Sequence, residues 1–222
     1  MGTIYETELL VKTHHGSMHP GGLRLSARAV RLAGLTAGMR VADIGCGTGV
    51  TAAFLSEKLR LNVTGLDKSD KLIAMGLKSW PGLNLIRWSG ETFPFEENCL
   101  DAIFFECTLS VIGSIKQILA SCAKALKRTG AVIISDVYAK QSLNTNSTPL
   151  LTEDELKCAL TGAGFDIVVQ EDHTAALRTY IAGLRENSRN SLDACSFFGT
   201  SCNRESIRLS ELGYILLIAR KI

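Results

Sequence analysis

The sequence predicts an α/β domain, a mostly parallel sheet wound on both faces by helices. Three observations carry that expectation. Short apolar runs alternate with segments of helical periodicity from residue 40 to residue 137. The runs RVADI (40–44), DAIFFE (101–106) and AVIISDV (131–137) are largely apolar instead of alternating, as strands covered on both faces are. The first of them runs directly into a glycine cluster, Gly45-Cys46-Gly47-Thr48-Gly49, which opens a helix.

Each element has its own signal. Residues 23–34 place Leu25, Ala29, Leu32 and Ala33 at helical spacing, and Gly34 and Gly38 end the run. After the strand at 40–44, residues 48–59 carry Val50, Ala53, Phe54 and Leu55 at helical intervals. Residues 62–66 read as a second strand ending at Asp67, and 70–79 as a helix stopped by Pro81-Gly82. Residues 83–88 and 101–106 supply two further strands, 114–126 an amphipathic helix stopped by Thr129-Gly130, and 131–137 a fifth strand. The Ser-, Asn- and Thr-rich stretch 139–151 reads as a surface loop. Thr152-Glu-Asp-Glu155 is a capping box before a helix at 156–161. A sixth strand (164–169), a longer helix (175–192) and a last strand (214–219) complete the chain, while 193–208 shows no legible pattern. Right-handed βαβ crossovers make such a series a doubly wound sheet.

Composition narrows the function classes. The 222 residues hold 24 Lys plus Arg against 22 Asp plus Glu, a formal charge of +2, which argues against a dedicated nucleic-acid binder. No apolar run approaches the roughly 18 residues of a membrane span, and the start lacks a basic-then-apolar signal pattern. Seven cysteines, irregularly spaced and without a CxxC, fit free thiols in a reducing cytoplasm better than a disulfide framework or a zinc site. Residues 1–37 are expected to form an N-terminal lid segment with a helix, and 38–222 the ligand-binding domain.

The glycine cluster is the most informative motif. Glycine permits positive φ and lets a ligand approach the backbone, while the helix N-terminus presents unpaired N–H groups. A dinucleotide fingerprint would be G-x-G-x-x-G, but the third glycine slot holds Val50 and the pattern is G-x-G-x-G. Asp43 precedes the loop and adds negative charge where a dinucleotide would bring more. It suits a ligand carrying an ammonium and a sulfonium. A nicotinamide-dependent oxidoreductase and a non-catalytic binding module remain the alternative readings.

The run ADIGCGTG, with Asp67 placed 24 positions after Asp43, resembles motif I of the class I S-adenosylmethionine (SAM)-dependent methyltransferases. Gly90-Glu91-Thr92 and the stretch from Phe93 to Asp101 resemble that family's adenine-contacting segment and the approach to its fourth strand. The likeness spans about residues 38–137 and is strongest toward small-molecule enzymes of the UbiE and arsenite-methyltransferase type. It implies a Rossmann-like seven-stranded sheet with an antiparallel last strand. It also implies SAM as methyl donor, held by Asp43, Gly45, Cys46, Gly47, Gly49, Asp67, Lys68, Gly90, Glu91, Thr92 and Glu106.

Methyl transfer from a sulfonium is an in-line displacement that needs alignment before it needs a base. The Asn/Asp-Pro-Pro-Tyr/Phe motif of base- and glutamine-modifying enzymes does not follow the fourth strand, and no Cys follows a Pro. A small-molecule acceptor is therefore expected, with no nucleic acid, membrane or resident metal; a homodimer is compatible with the sequence. Acceptor-side candidates are Glu106, Asp136, Tyr138 and His19. His14 and His15 are possible lid residues or a solvated terminus, Arg24 a carboxylate partner or a surface residue, and Cys107, Cys195 and Cys202 soft ligands or simple packing.

Overall fold

A computed structural model describes residues 19–142, 150–187 and 208–222. Its seven strands are β1 (Arg40–Ile44), β2 (Asn62–Asp67), β3 (Asn84–Arg87), β4 (Leu100–Glu106), β5 (Leu126–Ala139), β6 (Phe165–Asp172) and β7 (Leu212–Lys221). They form one sheet in the order β3-β2-β1-β4-β5-β7-β6. β1 pairs parallel with β2 and β4, β2 with β3, and β4 with β5, whereas β7 runs antiparallel to both β5 and β6. The expected Rossmann-like sheet with its antiparallel last strand is thus present.

Among the described residues six α-helices accompany the sheet: α1 (Gly22–Leu32), α2 (Val50–Ala53), α3 (Asp70–Ser79), α4 (Ile115–Ala125), α5 (Glu153–Gly162) and α6 (Thr174–Asn187). Alternate strand residues feed two separate cores. Val41, Phe104, Ile133 and Leu216 pack with Leu25 and Ala29 of α1, Ile73 of α3 and Leu177 and Ile181 of α6. Their neighbours Ala42, Ile103, Val132 and Leu217 face the other way, onto Ile118, Leu119 and Cys122 of α4 and Leu156 and Leu160 of α5. Burial on both faces is why the strands lack polar alternation. The capping box is present as read, with the Thr152 hydroxyl accepting from the N–H of Glu155 and the Glu155 carboxylate accepting from the N–H of Thr152.

Two elements differ from the sequence expectation. The helix after the glycine loop is one α-turn that passes into a π-helix at Phe54–Lys58, because apolar periodicity does not distinguish the two hydrogen-bond patterns. β5 is 14 residues long and starts at Leu126 instead of 131. Leu126 pairs with Leu100 at the start of β4 and is fully buried, so residues 126–130 join the sheet despite Thr129 at φ 68° and Gly130. α6 is described to Asn187; the remainder of the helix expected to 192 lies outside the described residues.

β1 and β4 are neighbours although two βα units separate them in sequence. This is the topological switch point, and a ligand crevice forms outside the strand carboxyl ends there. Register pairs Ile44 with Phe105, so Gly45 and Glu106 emerge from the sheet side by side.

Candidate functional site

The glycine loop is built by backbone geometry. Gly45, Gly47 and Gly49 have φ of 77°, 56° and 77°, values that side-chain-bearing residues adopt at a cost. The N–H groups of Gly45 and Cys46 both donate to the carbonyl of Leu66, at 2.7 and 3.0 Å, tying the loop to the end of β2. A Cβ on Gly45 would lie 2.2 Å from Thr108 Oγ1, so the loop needs glycine there for close packing as well.

Asp67 ends β2 beside this loop. Its Oδ2 accepts from the N–H of Gly47 at 2.9 Å and its Oδ1 from the N–H of Ser69 at 2.8 Å. A carboxylate has about four acceptor positions, so two bonds orient the group and leave capacity for a pair of ligand hydroxyls. Lys68, which follows Asp67, is exposed, as are Gly90, Glu91 and Thr92. The loop of residues 90–92 is anchored by Trp88, whose Nε1–H donates to the carbonyl of Thr92 at 2.8 Å and whose ring meets Phe93 edge-on at 5.6 Å.

Deeper in the crevice, His19, Asp43 and Glu106 converge. The Glu106 side chain is 6% exposed, and three donors reach it. Ser26 Oγ donates to Oε1 at 2.8 Å, Thr51 Oγ1 to Oε2 at 2.8 Å, and His19 Nε2 lies 3.0 Å from Oε2. Burial alone would raise the Glu106 carboxyl; the His19 charge and these hydrogen bonds outweigh it and hold the group below its ordinary value. Burial likewise opposes a charge on His19, but Glu106, the Pro20 carbonyl and Asp43 together raise it above its ordinary value. At Asp43 the opposing pull of the His19 charge does not offset burial. Asp43 is 2% exposed, its Oδ2 has no hydrogen-bond partner, and burial followed by the Glu106 charge pushes its carboxyl up to about 8. A buried acceptor without a donor fits a bound cation with N–H groups.

The remaining candidates are spent elsewhere. Asp136 accepts at Oδ1 from Ser110 Oγ (2.8 Å) and the N–H of Val137 (2.7 Å), and at Oδ2 from the N–H of Ser110 (3.0 Å). It braces the loop after β4. Tyr138 packs its ring over Gly213 of β7, where a Cβ would fall 2.3 Å from Cζ. Cys107, at φ 51°, contacts the Tyr214 hydroxyl at 3.5 Å, and burial holds its thiol protonated, so it is a packed thiol and no nucleophile. Cys46 is buried and held protonated in the same way. Arg24 is exposed. His14, His15, Cys195 and Cys202 lie outside the described residues.

Comparison with known proteins bears directly on this loop-and-acid arrangement. Residues 42–134 match the model of a protein family described as Methyltransferase domain, a span that begins within β1 and ends within β5. Over those residues the chain is similar to that family. It is 28% identical over 204 residues to phosphoethanolamine N-methyltransferase of Triticum aestivum, covering 83% of this chain and 39% of that protein. Among solved structures it superposes on the [4+2]-cyclase SpnF with a TM-score of 0.74 at 21% identity, covering 89% of this chain and 80% of that one. It superposes on Haemonchus contortus phosphoethanolamine N-methyltransferase 2, solved with S-adenosyl-L-methionine, with a TM-score of 0.73 at 19% identity, covering 92% and 54%. The chain spans well under half the length of the first curated relatives it matches, 39%, 26% and 34%.

Three residues of the crevice carry no role in the sequence pattern above: Ser26, Thr51 and Thr108. Ser26 had a signal, since it shares the helical face of Ala29, Val30 and Ala33, where a polar residue needs a partner. Thr51 and Thr108 carried none, because their roles depend on what β4 brings beside them. Among the described residues no group of three or more His, Cys, Asp or Glu is arranged to hold a metal, and no helix is long and apolar enough to cross a membrane.

Proposed function

We propose that the protein is a SAM-dependent methyltransferase that moves the sulfonium methyl group to a small-molecule acceptor in the cytoplasm. One observation carries the reading: a glycine loop at the β1–β4 switch point, flanked by Asp67 with acceptor capacity to spare and by Asp43 with a buried carboxylate oxygen that has no partner. The wheat relative acts on phosphoethanolamine by its name, which supports a small polar acceptor here.

The donor supplies an activated methyl group, and the chain supplies its placement. Asp67 would receive ribose hydroxyls, its orientation fixed by the N–H groups of Gly47 and Ser69. The glycines let the ligand lie against the backbone. Asp43 would meet the cationic end of the donor, and Lys68 and residues 90–92 would hold its nucleoside end. Glu106 accepts from Ser26, Thr51 and His19, and Asp136 from Ser110 and Val137, so both carboxylates are engaged in holding the framework together. Rate acceleration then rests on alignment and water exclusion, worth up to roughly 7–11 kcal/mol in well-oriented systems.

The likeness to SpnF, a cyclase by name, supports a second reading in which this fold serves a reaction other than methyl transfer. Calorimetry with SAM and S-adenosylhomocysteine, followed by transfer of label from methyl-labelled SAM to a metabolite extract, separates the two. Binding with transfer supports the proposal, binding without transfer favours the second reading, and no binding by folded protein removes both.

A further inference from the structure

We propose that His19 is a built-in counter-cation that sets how strongly the site prefers a positively charged sulfonium donor over its uncharged thioether product. The inference rests on the donor reading above and extends it to a specificity-determining residue.

The charge on His19 follows from geometry. Its side chain is 5% exposed, and both ring nitrogens face acceptors. Nδ1 lies 3.1 Å from the Pro20 carbonyl and Nε2 lies 3.0 Å from Glu106 Oε2. A neutral imidazole has one N–H and satisfies one of these; the imidazolium satisfies both. Ser26 Oγ, 3.3 Å from Nε2, donates its own proton to Glu106 and so supplies none to the ring.

The surroundings make this cation consequential. The groups that bear on it come from several elements: Glu106 from β4, Asp43 from β1, and Asp67 from β2 through its effect on Asp43. Cys46 in the glycine loop and Cys107 after β4 are buried thiols that stay protonated and add no charge. Two acids, Glu106 and Asp43, thus face one imidazolium, and among the described residues His19 is the cation that acts on Asp43. A SAM molecule carries an ammonium, a sulfonium and a carboxylate, net +1; S-adenosylhomocysteine carries an ammonium and a carboxylate, net zero. A fixed positive charge beside the carboxylates weakens the hold on the sulfonium and leaves the thioether nearly untouched. Losing that charge therefore raises the donor-to-product preference.

The test is calorimetric binding of SAM, S-adenosylhomocysteine and sinefungin, whose ammonium replaces the sulfonium, to the full chain and its His19→Gln variant near neutral pH. Glutamine keeps a hydrogen-bond donor toward Glu106 without the charge. The ratio Kd(S-adenosylhomocysteine)/Kd(SAM) should rise in the variant on the order of fivefold, the scale of one unit charge partly screened at an effective dielectric of about 20, and the sinefungin ratio should follow. A merely structural role would weaken all three ligands together and leave the ratios unchanged, which overturns the proposal. If the variant does not fold, the wild type answers by pH: the ratio must rise as the His19 ring signal, followed by NMR, loses its proton above the ordinary histidine value. Ionisation of Asp43 pushes the same way, so the rise must track the His19 signal; a ratio flat across that titration overturns the proposal. Absence of binding by all three ligands defeats the donor reading and this inference together, whereas binding with unaltered ratios defeats this inference alone.

Discussion

Replacing Asp43 by Asn is expected to make the protein more stable at neutral pH and poorer at holding its ligand. Asp43 is 2% exposed, one carboxylate oxygen has no partner, and burial with the nearby Glu106 charge raises its carboxyl from 3.8 to about 8. In the unfolded chain the group releases its proton near its ordinary value; in the folded chain it keeps the proton until about 8. Between those values the unfolded state binds fewer protons, so stability falls as pH rises. At pH 7 the span is about three pH units at roughly 1.4 kcal/mol each, a cost of about 4 kcal/mol. Asparagine has the same shape and no ionisation to penalise. Urea unfolding of both proteins from about pH 4 to about pH 8 should give curves that diverge with pH, the variant gaining about 4 kcal/mol by pH 7 relative to its offset at pH 4. Binding of SAM should weaken at least about tenfold, since the acid can give up its proton to meet the ligand's cation and the amide cannot. Parallel stability curves would refute the claim that Asp43 is an undercompensated buried acid.

Other perturbations should be as readable. Glu106→Gln breaks the buried pair with His19 and should cost about 3 kcal/mol in urea unfolding near pH 6. His19 has a raised folded pKa, so the pair's contribution is present below its ordinary value of 6.5, and the cost should shrink as pH rises through the folded value. Gly45→Ala meets both a φ of 77° and a Cβ 2.2 Å from Thr108 Oγ1, and should lose about 2–4 kcal/mol. Gly113→Ala, where a Cβ meets nothing within 4 Å, should fall within about 0.5 kcal/mol of wild type in the same assay. Asp67→Asn should reduce S-adenosylhomocysteine affinity about 10- to 100-fold in calorimetry, because hydrogen bonds to a charged acceptor contribute about 1.5–3 kcal/mol. Affinity within twofold of wild type would remove Asp67 from the ligand site.

The order of strands and helices was legible in the sequence because each depends on neighbours a few residues away. Apolar runs at RVADI and DAIFFE, helical spacing at Leu25 and Ala29, and the Thr152–Glu155 capping box are local patterns, and all reappear in the structure. The glycine loop and its two acids were legible for the same reason, since a tight turn after a strand constrains residue type directly. The π-turn at Phe54–Lys58 and the early start of β5 at Leu126 were not, because the first shares its apolar pattern with an α-helix and the second depends on pairing with Leu100.

What the sequence settled by itself was the set of parts: a doubly wound sheet, a glycine turn, and acids at 43 and 67. Only the tertiary structure decided that His19 and Ser26 reach Glu106, 87 and 80 residues away in the chain, or that Asp136 braces Ser110 while Asp43 keeps a bare buried oxygen. Strand order and register bring those side chains together. Neither leaves a local trace, because a residue's chemistry restricts what kind of partner it needs but not which distant residue will meet it.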